Sequence, residues 1–216
     1  MNTRTEIDSN APRTSRAAAF TLVEILVVVT IMGLMLAMVG MTVPGSIASQ
    51  KLAGVARQIA GELDHATMIA QRDNTPVEVR FYRCTEAGTG ALGEAKEYRA
   101  YHIGSITGWN SDGKPKVTFN DSVQRLPEGI IFTPNPSHTT LLTKAPVQAS
   151  PEDPEIGEPY EYISYVIRPD GGTTLPRPEK TVLTLVQEKQ LTSEATLPAD
   201  YRSLVVNPYN GQVTLY

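Results

Sequence analysis

The residues best placed to take part in chemistry are Ala19, Phe20 and Glu24, in the run Ala19-Phe20-Thr21-Leu22-Val23-Glu24. Behind them, residues 25–43 carry no charge; Thr30 and Thr42 are the only hydroxyls, and Gly33 and Gly40 are small interruptions. An acidic side chain deep in an apolar helix costs roughly 2.5–3.5 kcal/mol on insertion scales, and less near an interface, so it calls for a partner. A cut between Ala19 and Phe20 supplies one: the freed Phe20 amine is a cation one helical turn from Glu24. The amine of one copy can then neutralise the Glu24 of a neighbouring copy. If such a cut is made, the chemistry is cleavage of this chain.

Ala-Phe-Thr-Leu-Val-Glu ahead of an uncharged helix resembles the processing motif of type IV prepilins and type II secretion pseudopilins. The resemblance implies a prepilin peptidase that cuts between Ala19 and Phe20 and methylates the Phe20 amine, with Glu24 as the assembly residue. Ala19 departs from the Gly usual before the cut. The rival reading is an ordinary signal peptide: Arg4, Arg13 and Arg16 form a basic leader, and Ser46-Ile47-Ala48 offers small residues. Against it, the apolar run exceeds an h-region of about 7–15 residues, and such a signal has no use for Glu24.

Other chemistry finds little support. No Walker-type glycine loop or His-Glu-x-x-His pair occurs. His65, His102 and His138 have no short metal-ligand spacing, and the single Cys84 reads as a packed thiol. No cofactor, metal or catalytic residue is assigned. Turn chemistry accounts for Asp112 and Asp170 beside glycines, with calcium the alternative. Trp109 reads as partly buried. The 216 residues hold 19 Lys and Arg against 23 Asp and Glu, a net charge of −4. Removing residues 1–19 takes away three arginines with Glu6 and Asp8 and leaves −5. No basic patch for nucleic acid is apparent.

The elements that must position Phe20 and Glu24 follow. Residues 1–19 are a polar leader. Residues 25–43 make roughly 28 Å of helix at about 1.5 Å per residue, against a bilayer core of about 30 Å, so residues 20–43 read as a transmembrane and assembly helix. Pro44, Gly45 and Ser46 read as a break. Residues 44–73 read as an amphipathic helix with its stripe at Leu52, Val55, Ala56, Ile59, Leu63, Ala66 and Ala70. The natural reading is one long helix kinked between its halves. Asp73-Asn74-Thr75-Pro76 ends it.

Residues 74–216 read as a β-rich head. Strands are expected at 77–82 with one face buried, and at 97–104, 116–119, 129–133, 162–167, 181–187, 204–207 and 212–216. Asn210-Gly211 marks the last hairpin. Residues 144–160, rich in Pro and acids, read as a mobile exposed loop.

The expected fold is α+β, pilin-like: a long N-terminal helix, transmembrane then amphipathic, packed on a small antiparallel sheet. The run 70–79 and the Arg168-Pro169-Asp170-Gly171 turn resemble minor pseudopilins of the GspH type. A narrower resemblance, through residues 80–83, 126–130 and the last hairpin, is to the Verru_Chthon cassette protein D group. The resemblance implies a non-enzymatic subunit of a pilus-like or type II secretion pseudopilus filament, a minor pseudopilin processed by prepilin peptidase and assembled through its hydrophobic N-terminal helix. Its implied partners are prepilin peptidase, other pilin or pseudopilin subunits, the inner-membrane assembly platform and the membrane, with no nucleic acid. The implied location is single-pass in the inner membrane with a periplasmic head, then the filament. The alternative is a membrane-anchored periplasmic enzyme or binding module with the helix as a tether.

Overall fold

A computed structural model describes residues 20–85, 97–111, 113–145, 147–150, 156, 160–177, 179–191 and 196–216. Residues 1–19, expected as a leader and including Ala19, Asp112, for which turn chemistry was expected, and much of 144–160 lie outside the described residues. The chain divides after Pro44 into two units.

Helix α1 spans Leu22–Arg72. Pro44, read as a stop, lies inside it. Proline removes one helical hydrogen bond at a cost of about 3 kcal/mol, yet the helix runs on through it. At the other end the helix closes on Asn74, whose φ is 48°. The Thr75 N–H donates to the Ala70 carbonyl at 3.2 Å, a Schellman closure, and Pro76 follows.

The transmembrane reading of the first half is corrected: among the described residues, no helix is long and apolar enough to cross a membrane. With that span go the expected single-pass inner-membrane location, the periplasmic placement of the head, and filament assembly through a membrane-spanning helix. A tether through the same helix falls with them.

In the second unit, the expected stripe is the buried face of α1: Leu52, Val55, Ala56, Ile59, Leu63, Ala66 and Ala70 all enter the main core. They pack on an antiparallel sheet of ten strands among the described residues, ordered β10-β9-β8-β5-β2-β1-β7-β6, with β3 and β4 also beside β2. The strands are β1 Val77–Cys84, β2 Glu97–Trp109, β3 Pro115–Phe119, β4 Gln124–Arg125, β5 Ile130–Phe132, β6 Val147–Ser150, β7 Tyr160–Ile167, β8 Thr181–Gln187, β9 Tyr201–Val206 and β10 Val213–Leu215. A short helix, α2, covers Leu141–Lys144. The long strand β2 pairs with β1 along one edge and with β3, β4 and β5 in turn along the other.

Strand β1 differs from its expected half-burial. Val77, Val79 and Phe81 face the helix core, where Phe81 meets Phe132 edge-on at 5.4 Å. Glu78 and Tyr82, expected outside, are buried too, Glu78 at 1% exposure. A second cluster of Tyr82, Cys84, Ala100, Ile156, Tyr160 and Tyr162 covers that face. Glu78 is neutralised there by Arg80 at 3.0 Å, whose guanidinium lies between the rings of Phe119 and Tyr162. Within 144–160, residues 147–150 form edge strand β6, and Ile156 is buried.

Candidate functional site

The N-terminal end of α1 carries the residues expected to be processed. Phe20 and Thr21 lie ahead of the helix, and Phe20 is 73% exposed. Thr21 is the N-cap. Its carbonyl accepts from the Glu24 N–H at 3.0 Å and from the Ile25 N–H at 3.3 Å, and its Oγ1 also accepts from the Glu24 N–H, at 3.3 Å. Glu24 thus stands three residues after the cap, the spacing of a capping box, and its charge suits the positive end of the helix dipole. Among the described residues no hydrogen bond or ion pair engages the Glu24 carboxylate, which is exposed. Further along, the Thr30 hydroxyl donates to the Leu26 carbonyl at 2.6 Å. Large apolar side chains from Leu22 to Met38 are exposed. The pattern Thr-x-x-Glu was the readable signal for the cap, and sequence reasoning passed over Thr21.

A second feature came from tertiary structure alone. A cleft of about 370 Å³ opens between the C-terminal part of α1 and β2, bordered by residues 120–124. It brings together His65 and His102, with Glu62, Asp73 and Asp121. His102 stacks on Phe119 at 3.9 Å, and its Nε2 donates to the Asp121 carbonyl at 2.6 Å. Glu62 accepts from the Tyr101 hydroxyl at 2.7 Å and from Gln58 at 2.9 Å. Burial, and then Glu62 as acceptor, push the Tyr101 phenol far above its usual range. Arg72 binds Asp73 through two hydrogen bonds, which raise the guanidinium and lower the carboxyl. The cleft offers polar contacts without a nucleophile–base pair. Among the described residues, no group of three or more His, Cys, Asp or Glu is placed to hold a metal.

The remaining candidates stay apart. His138 sits in the turn ahead of α2, with its carbonyl accepting from the Thr184 hydroxyl at 2.7 Å. Cys84 is buried in the second cluster, and burial pushes its thiol up. Asp170 Oδ1 accepts from the Gly172 N–H at 2.8 Å, the expected turn chemistry. Trp109, read as partly buried, is 68% exposed because β2 runs past the body of the sheet and pairs there only with β3.

A family profile, the prokaryotic N-terminal methylation motif, matches residues 14–40. No curated protein matches the chain. Among solved structures, the minor pseudopilin EpsH from the type 2 secretion system of Vibrio cholerae is similar at 12% identity and a TM-score of 0.40, over 77% of this chain and 96% of that one. The type IV minor pilin FimU of Pseudomonas aeruginosa is similar at 10% identity and a TM-score of 0.35, over 77% and 89%. Superposition this loose assigns neither a fold family nor a function.

Proposed function

We propose that this chain is a precursor cut between Ala19 and Phe20, methylated on the new Phe20 amine, and used as a structural subunit of a pilin-like assembly. The carrying observation is the methylation-motif match over residues 14–40, which falls on a capped helix start with Phe20 exposed. In this reading prepilin peptidase and other pilin or pseudopilin subunits are the partners, and the chain is the peptidase's substrate, not an enzyme. Glu24, whose carboxylate is otherwise unengaged, is the anion that meets the Phe20 amine of a neighbouring copy. The run at 70–79 leading into β1 and the turn at 168–171 support a GspH-type relationship.

The test is intact-mass and N-terminal peptide analysis of the protein from its native cells. The expected chain begins at Phe20 with one added methyl group. A chain that keeps its leader, or begins near Ser49, overturns the reading.

A further inference from the structure

We propose that the tip of the β2–β3 hairpin docks a second copy of this chain, and that it takes the acidic, proline-rich segment 151–159 of that copy. The tip has the chemistry for it. Beyond Ser105, where β1 ends its pairing, β2 runs on with β3 alone. Trp109, the only tryptophan of the chain, closes β2 and is 68% exposed. It stands opposite Pro115, with half-buried Val117 further back along β3. Lys114 and Lys116 flank this apolar end, and both are exposed. Residues 105–119 hold these two lysines against Asp112 alone, a net +1 within a chain of net −4. An exposed indole takes proline rings, as aromatic-lined grooves do, and lysines beside it favour an acidic partner.

Residues 151–159 answer that chemistry with Pro151, Pro154 and Pro159, with Glu152, Asp153, Glu155 and Glu158, and with no cation. The tip cannot reach them within one copy. Ser150 and Tyr160 pair across β6 and β7, which fixes both ends of the segment. Ile156 is buried with Cys84 and Ala100, and its carbonyl accepts from the Arg125 guanidinium at 3.2 Å. No carboxylate of the segment is more than three residues from one of these anchors, a reach of roughly 10 Å. Trp109 lies roughly 30 Å along β2 from Ala100, at about 3.3 Å per residue. The two surfaces therefore sit at opposite ends of the sheet and meet only between copies. Such a contact is head-to-tail: each copy offers its tip to one neighbour and its acidic segment to the next, so copies add into a ring or a row. It needs no freed Phe20 amine and stands apart from the processing proposed above.

The test uses the full-length chain in non-ionic detergent, which covers the apolar start of α1, over a rising protein concentration. Fluorescence reports on the tip directly, because Trp109 is the only tryptophan. Its emission should move to shorter wavelength as the concentration rises. The shift should weaken between about 0.1 M and about 1 M salt, where the screening length falls from about 10 Å to about 3 Å. Glu152→Gln, Asp153→Asn, Glu155→Gln and Glu158→Gln together should raise the concentration at half-shift on the order of fivefold. Lys114→Glu with Lys116→Glu should abolish the shift, and mixing in copies with Glu152→Lys and Glu155→Lys should restore it. A carbodiimide joins amines to carboxylates in contact. In a mixture of isotope-labelled and unlabelled chains, Lys114 or Lys116 of one copy should couple to residues 152–158 of another, and Trp109→Ala should lose that coupling. The proposal is overturned if the emission is independent of concentration, if the four-acid variant shifts at the unaltered concentration, or if coupling occurs only within one copy. A shift that needs vesicles of anionic lipid, not more protein, assigns the tip to a membrane surface and overturns it too. None of these readouts involves the N-terminus, so a failure of cleavage before Phe20 leaves them standing.

Discussion

Single side chains set how this protein responds to alkali. Tyr165 is fully enclosed in the main core, and burial, aided by the charge of Asp64, pushes its phenol far up. Tyr101 moves the same way, through burial and its bond to Glu62. A phenol whose pKa is higher folded than unfolded contributes its stability below the unfolded value, near 10, and loses it as pH rises toward the folded one. Stability should therefore hold to about pH 9 and fall above about pH 10, by about 1.4 kcal/mol per pH unit for each tyrosine that stays protonated. Denaturant titrations between pH 8 and 11 check this. A flat profile would mean that both phenols reach water before the protein unfolds. Tyr101→Phe should flatten part of the slope.

Between elements, the packing of β3 against β2 depends on one glycine. A Cβ at Gly104 would lie 2.5 Å from Val117 Cγ1 and 2.6 Å from Phe119 Cδ1. Phe119 has little room to give, since one face of its ring stacks with His102 and the guanidinium of Arg80 lies 5.0 Å away. Gly104→Ala should cost about 1–3 kcal/mol, read as a lower midpoint in thermal or denaturant unfolding. A change within a few tenths of a kcal/mol would mean that β3 yields freely. Elsewhere the turns at Gly171 and Gly211 pack on the C-terminal end of α1. Each has a positive φ, and added Cβ atoms would meet Gln71 Nε2 at 2.7 Å and Thr67 Oγ1 at 2.8 Å. Asp64, on the same helix, accepts from the Val213 N–H at 3.0 Å and so closes part of the β10 edge.

At the scale of the whole molecule, every residue of the main core lies between Leu52 and Val206, inside the unit Gly45–Tyr216. A chain of residues 45–216 should therefore fold by itself, with one cooperative thermal transition and a native near-ultraviolet circular dichroism signal. A broad, featureless melt would show that the first unit is needed.

What the sequence determined by itself was local or periodic. The three-and-four spacing of Leu52 to Ala70 foretold the buried face of α1, because a helix repeats its faces regardless of what covers them. Asp73-Asn74-Thr75-Pro76 foretold the helix end, and Thr181 to Gln187 became β8. The expectation of processing before Phe20 came from the same kind of signal: a carboxylate four positions from a prospective amine is a fact of spacing. The apolar run was legible too, but the span inferred from it did not survive, since helix length and apolar content must be met together. Tertiary structure alone decided whatever depends on residues far apart in the chain. It covered the outer face of β1 with Tyr160 and Tyr162, turned part of an apparent loop into β6, and left Trp109 in solvent. It also drew His65 and His102 into one cleft. Strand order decides which side chains become neighbours, and no local period carries strand order.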